Sequence, residues 1–151
     1  MFEKILYPTD FSDISHKALS YVKDLGESGT REVVLVHVID HREFEHFYDN
    51  VSWGGQLPAD LIQELQDKRM EDARKYLGDI AEELHASGLE VRQVIEMGNP
   101  LTKILEIGVK EAVSAIVLGS HGKSNLAEIL LGSVSENIVR RSDIPVLVVK
   151  R

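Results

Sequence analysis

Three glycines carry the pattern in this chain most suited to chemistry: Gly119, Gly122 and Gly132, spaced by two and then nine residues. Glycine has no Cβ, so it accepts positive φ and lets backbone N–H groups come close to an anion. Ser133 follows the last glycine and Glu136 comes three residues later, a spacing that predicts a capping box and a helix opening there. A helix start offers N–H groups without intrahelical acceptors and partial positive charge, and Lys123 adds a counter-charge within the loop. The combination reads as a phosphate cradle. His121, between the first two glycines, is either a further phosphate contact or an exposed loop histidine. Ser133 can cap its helix through its side chain while its N–H faces the anion. The plainer reading of the set is ordinary turn and C-cap glycines.

Positioning such a loop requires a strand before it and a helix after it. The apolar run Ala115 to Leu118 is short enough for a buried strand, and Ser133 to Arg141 supplies the helix, with Arg140 and Arg141 near its negative end. The same alternation holds upstream. Lys4 to Pro8 predicts the first strand, and Ser12 can cap a helix with Ile14, Ala18, Val22 and Leu25 on one face, ended by the stretch Gly26 to Gly29. Glu32 to Ile39 is a second strand, nearly continuous in apolar residues and so buried on both faces. Pro58 begins a long helix reaching about His85, and Leu89 to Glu96 forms a third strand. Asn99 and Pro100 open a further helix through Leu101, Ile104, Leu105 and Val109. Pro145 introduces the last strand, to Lys150. Strands alternating with helices predict an α/β fold with a mainly parallel sheet. Residues 40–57 fit neither period and hold Phe44, Phe47, Tyr48 and Trp53, an insertion packing on the domain edge or else a lid or partner surface. His37, His41 and His46 share no metal-ligand spacing, so no protein metal site is expected.

The glycine spacing, with Ile5-Leu-Tyr-Pro-Thr-Asp-Phe-Ser12 at the start and Ile144-Pro-Val-Leu-Val-Val-Lys150 at the end, resembles the ATP-binding signature of the universal stress protein family. It matches neither the P-loop nor the dinucleotide GxGxxG. One departure is Asn125, where members usually carry glycine; asparagine tolerates the left-handed region better than most residues. The resemblance covers nearly the whole chain. It implies a five-stranded parallel, doubly wound, Rossmann-like sheet of order 3-2-1-4-5, with helices on both faces. That order puts a ligand crevice beyond the C-terminal ends of strands one and four, between Pro8-Thr9-Asp10 and Leu118-Gly119. Family resemblance further implies that Gly119, Ser120, Gly122, Gly132, Ser133 and Val134 hold ribose and phosphates, with Asp10 and Val38 facing the base. Val38 would offer its backbone N–H and C=O to adenine. Asp10 is left with three roles: a ribose acceptor, a holder of metal through water, or a turn carboxylate that starts the helix. The implied ligand is ATP, or ADP or AMP, with any Mg2+ held by the phosphates. Members commonly pair through the last strand, here Pro145 to Lys150, which implies a homodimer.

At 151 residues the chain is expected to form one domain, residues 1–151. A formal net charge of −8 argues against indiscriminate binding to nucleic acid or anionic membrane. The absence of cysteine excludes disulfides and thiol catalysis, and no signal pattern or membrane-length apolar run is visible, so a cytoplasmic protein is expected. No nucleophile elbow, paired metal-ligand helix or arginine finger stands beside the glycine loop, so no catalytic residue is assigned. A nucleotide-binding regulatory protein with at most slow ATP hydrolysis is the expectation. A receiver domain would need an acceptor aspartate after strand three, where Glu96-Met97-Gly98 stands instead. An adenylating enzyme would need its own pyrophosphate motif. The remaining alternative is a nucleotide-independent dimeric interaction module.

Overall fold

A computed structural model describes residues 1–45, 58–121 and 131–150 of the chain. The strands are β1 (Lys4–Pro8), β2 (Glu32–Asp40), β3 (Glu90–Gly98), β4 (Ala115–Gly119) and β5 (Val146–Val149). Between them run helices α1 (Asp13–Glu27), α2 (Ala59–Ala86), α3 (Pro100–Lys110) and α4 (Ser133–Arg141). The strands form one sheet of order β3-β2-β1-β4-β5, and every adjacent pair is parallel. The sheet order and direction implied by the family resemblance are those observed.

Alternation along the strands sorts the core into two layers. Ile5 and Tyr7 of β1, Val33 and Leu35 of β2, and Val117 of β4 meet Leu19 and Val22 of α1 and Leu77 and Leu84 of α2. Leu6, Val34, Val36, Ile116 and Leu118 point the other way, onto Ile104 and Ile107 of α3 and Ile138 of α4. Both faces of β1, β2 and β4 are therefore apolar, which is why their sequences are continuous rather than alternating.

Local signals fix the starts of α1 and α3. The Ser15 N–H donates to Ser12 Oγ at 3.3 Å and the Thr102 N–H to Asn99 Oδ1 at 3.1 Å, with Pro100 in the first turn of α3. The expected capping box of α4 does not form. Gly132, not Ser133, is the N-cap, with no side-chain cap bond, and Glu136 pairs instead with Arg140 at 2.9 Å. The reason is tertiary: the Gly132 N–H donates to the Ser120 carbonyl at 2.6 Å, which draws the helix start back by one residue.

The strand ends also move slightly. β2 continues to Asp40 and β3 to Gly98, because their register runs unbroken from Glu32↔Glu90 to Asp40↔Gly98. After β2, residues 42–45 make a helical turn whose Phe44 is buried against Ile39 and Ala73. Phe47, Tyr48, Trp53 and His46 lie outside the described residues. Ion pairs close the N-terminal end of the sheet: Lys4 reaches Glu32 at 3.1 Å and Glu111 at 3.3 Å, and Arg92 also reaches Glu111 at 3.3 Å. The opposite end stays open.

Candidate functional site

The open end is a cavity of about 250 Å³ where β1, β2 and β4 stop and α4 begins. β1 contributes Pro8, Thr9 and Asp10; β4 contributes Leu118 and Gly119, followed by His121; α4 brings Gly132, Ser133 and Val134. Val38 completes the set from β2. Ser120 stands behind this wall, 1% exposed. Gly122 and Lys123 lie outside the described residues.

Unequal strand lengths make the cavity. β1 pairs with β2 only as far as Pro8↔Val36, while β2 goes on to Asp40. The Thr9 N–H donates to the Val36 carbonyl at 2.8 Å, so Val36 turns its backbone toward β1. Backbone direction repeats every second residue, and Val38 therefore carries its N–H and C=O along the edge that β1 has left. Across the cavity, α4 begins. The Glu136 N–H bonds the Gly132 carbonyl at 2.8 Å, so the N–H groups of Ser133, Val134 and Ser135 precede the helical ladder. These are the groups that an anion takes at a helix start, where the helix dipole is also favourable.

The two described glycines work without positive φ, contrary to the reading of the loop from its sequence. Gly132 has φ −69°, and Gly119 is not among the residues of positive φ. Gly119 is required by close approach. A Cβ there would lie 2.8 Å from Ile14 Cγ2 and 3.1 Å from the Ile14 carbonyl carbon, so the end of β4 sits directly under the first turn of α1. Ser135 adds a tie, its hydroxyl donating to the Gly119 carbonyl at 2.8 Å within the interior.

Opposite the glycines, the β1–α1 turn is held by its own polar groups. The Ser12 N–H donates to Asp10 Oδ1 at 3.0 Å, an Asx turn, so Asp10 does serve as a turn carboxylate while lining the cavity. Ser15 Oγ donates to Thr9 Oγ1 at 2.7 Å, and the buried Tyr7 hydroxyl donates to the Ser15 carbonyl at 2.6 Å. Burial pushes the Tyr7 phenol well above the usual tyrosine range. Between Asp10 and Ser12, Phe11 adopts φ 64°, and its ring stacks on His37 at 4.3 Å.

The cavity is also lined by polar residues that the sequence reading did not place at the site: Ser15, Asp40, Glu43, Ser135 and His37, which was weighed there only as a metal ligand. His37 Nδ1 meets the Thr9 carbonyl at 2.8 Å, and since a carbonyl only accepts, that nitrogen carries the proton. Arg42 grips Asp40 through Nε at 3.0 Å and Nη2 at 2.6 Å, and these bonds hold the carboxyl below its ordinary value against the opposing effect of burial. Arg69 of α2 pairs with Glu43 at 3.1 Å. The cavity is thus polarised, with a helix N-terminus on one side and carboxylates on the other.

Comparison with known proteins agrees with this architecture. The universal stress protein family model matches residues 1–150. The chain belongs to the universal stress protein family. Among its relatives is universal stress protein MJ0577 of Methanocaldococcus jannaschii, 42% identical over 156 residues, covering all of this chain and 96% of the relative. A solved structure of MJ0577 superposes with a TM-score of 0.87 at 43% identity, covering 100% of this chain and 97% of that one. Universal stress protein YxiE of Bacillus subtilis is 32% identical, covering 99% of this chain and all of the relative. Two more distant universal stress proteins share the fold. One, in complex with cAMP, is 20% identical with a TM-score of 0.64 over 99% of this chain and 97% of that one. The other, from Arabidopsis thaliana with AMP bound, is 16% identical with a TM-score of 0.67 over 98% and 91%.

Proposed function

We propose that this universal stress protein binds an adenine nucleotide in the cavity at the C-terminal end of its sheet, with ATP as the first expectation and ADP or AMP as alternatives. One observation carries the reading: the exposed backbone edge at Val38 and the N-terminus of α4 face one cavity from opposite sides. Phosphates would lie against Gly119, Ser120 and the N–H groups of Ser133 and Val134, with His121, Gly122 and Lys123 following from the same loop. The base would lie against Val38, Pro8, Thr9 and Leu118. The N–H and C=O of Val38 match the acceptor and donor order of adenine and oppose that of guanine. Asp10 accepts from the Ser12 N–H through one oxygen, so its other oxygen is the group left for ribose. Any Mg2+ would be held through the phosphates. The distant relatives solved with cAMP and with AMP support an adenine ligand for this fold.

The role is regulatory rather than catalytic, in a single cytoplasmic domain with at most slow hydrolysis. Turnover of ATP at about 1 per second or faster would overturn this. The protein is also proposed to form a homodimer through the exposed edge of β5, where Leu147 is 42% exposed. If nucleotide binding fails, that edge favours the interaction-module reading.

The test is calorimetric titration of nucleotide-stripped protein with ATP, ADP, AMP and GTP, with and without magnesium, beside Gly132→Val. Adenine-selective binding that is lost in the variant is expected. Absence of binding to all four would overturn the proposal.

A further inference from the structure

Phe11 is held in a conformation that phenylalanine avoids. Its φ of 64° falls in the left-handed region, where a bulky side chain is strained, and such strain persists only where the surroundings over-determine it. Here they do. The Phe11 N–H donates to Thr9 Oγ1 at 3.1 Å, while the ring stacks on His37 at 4.3 Å and tilts against Tyr76 at 5.4 Å. Thr9 Oγ1 also accepts from Ser15 Oγ at 2.7 Å, so both of its lone pairs are committed and its rotamer is fixed. Ser15 is fixed in turn, because its carbonyl accepts from the Tyr7 hydroxyl at 2.6 Å. Thr9 and Ser15 are both buried, so water competes little for these bonds.

Asp10 sits between the two residues so held. Its Oδ1 accepts from the Ser12 N–H at 3.0 Å, and its backbone direction is set by Thr9 before it and Phe11 after it. The carboxylate is therefore aimed before a ligand arrives. Tyr7 anchors this frame from beneath. It is 0% exposed, so nothing in the cavity touches it, yet its hydroxyl joins the end of β1 to the first turn of α1.

We infer that Tyr7 is a positioning residue: through Ser15 and Thr9 it fixes the left-handed turn at Phe11, and so holds the second oxygen of Asp10 where it accepts from a ribose hydroxyl. The assignment rests on the nucleotide reading and adds to it a preference for nucleotides that carry their ribose hydroxyls. A carboxylate oxygen only accepts, and one already oriented loses little freedom on binding. Removing the Tyr7 hydroxyl leaves the Ser15 carbonyl without its donor and loosens the turn, while every side chain that lines the cavity keeps its chemistry.

The experiment is calorimetric titration with ATP and with dideoxy-ATP, which lacks both ribose hydroxyls, with urea denaturation of each variant alongside. Native protein should prefer ATP about tenfold, the scale of a hydrogen bond to a charged group. Tyr7→Phe should lower that ratio to about threefold, half of the discrimination in free energy. Thr9→Val, which removes the acceptor of the Phe11 N–H, should lower it likewise, and Thr9→Ser should keep it. Asp10→Asn retains an acceptor for the Ser12 N–H but turns the other group into a donor, so it should abolish the preference, and Tyr7→Phe should change the ratio no further in that background. If Tyr7→Phe and Thr9→Val weaken both ligands equally, or leave both unchanged, the residues are structural only and this inference alone fails. A fall in the ratio that persists in the Asp10→Asn background would overturn it too, since Asp10 would not be the group positioned. Native protein that binds both nucleotides equally removes the ribose role of Asp10 and this inference with it, and leaves the nucleotide site standing. If native protein binds neither, the nucleotide reading itself fails.

Discussion

Ile14 rests on Gly119 so closely that a Cβ on the glycine would lie 2.8 Å from Ile14 Cγ2 and 3.1 Å from the Ile14 carbonyl carbon. The methyl can turn aside, but the backbone atom cannot without shifting α1. Gly119→Ala should therefore destabilise by about 1–3 kcal/mol, the range for forcing an extra carbon into a packed interior. Thermal or urea denaturation measures this. Adding Ile14→Ala should recover only part of the loss, since the backbone contact persists. Full recovery would mean that the side chain alone fixes the approach.

Tyr7 sets an alkaline limit. Burial raises the pKa of its phenol, whereas an unfolded tyrosine ionises near the ordinary value of about 10. Above that pH the unfolded chain gives up a proton that the native chain keeps, so stability falls as pH rises, by up to about 1.4 kcal/mol per pH unit. Lys4, whose pKa is raised chiefly by its bond to Glu32, contributes loss of the same sign in the same region. Denaturation midpoints from pH 8 to about 11 should show a shallower decline in Tyr7→Phe. An unchanged slope would place the whole effect on Lys4 and other groups.

The Asp40–Arg42 pair acts at the other end of the scale. Its carboxyl is held below the ordinary value, so its contribution is present above about pH 4 and is lost as pH falls further. Because Arg42 is largely exposed, the contribution should be about 0.2–1 kcal/mol. Asp40→Asn should lower the neutral-pH melting point slightly and converge with native protein in acid. Parallel curves at all pH values would contradict this.

Ser135 anchors the end of β4 to α4 through its bond to the Gly119 carbonyl. Ser135→Ala should cost about 1–2 kcal/mol, because a buried carbonyl loses its donor, and should weaken ATP binding by disturbing the mouth of the cavity. Paired urea titration and calorimetry separate the two effects. Full stability together with full affinity would show the tie to be dispensable.

At the sheet edge, Leu147 is 42% exposed on β5 and Val139 of α4 is 43% exposed. Leu147→Lys should convert the proposed dimer to monomer without changing the fold, since charge on an edge strand discourages pairing. Light scattering at micromolar concentration, with circular dichroism as control, tests this. Native protein that is already monomeric would remove the dimer.

What could be read from the sequence was what is encoded locally. Ser12 and Asn99 cap helices through bonds that span three residues, the unbroken apolar run of β2 announced burial on both faces, and that of β4 announced a buried strand. The strands lining the crevice were legible because sheet order followed from the family resemblance. What depends on distant partners was not. The capping box of α4 yields to a bond between Gly132 and Ser120, and Gly119 is glycine because of Ile14, more than a hundred positions away. His37 reads as one more residue of an apolar strand until the Thr9 carbonyl, 28 residues earlier, is found at its Nδ1. Phe11 carries no sign of its φ of 64°, which is set by Asp10 bonding Ser12 and by stacking on His37.

The backbone of Ser120 joins β5 through Val149 and the start of α4 through Gly132. The cavity and the edge strand thus meet at one residue. If a ligand at the mouth tightens that residue and a second copy at β5 does the same, each must strengthen the other by an equal factor, because coupling between two binding events is reciprocal. Nucleotide affinity should then rise with protein concentration across the dimerisation range, making the molecule a sensor of its own abundance as much as of its ligand.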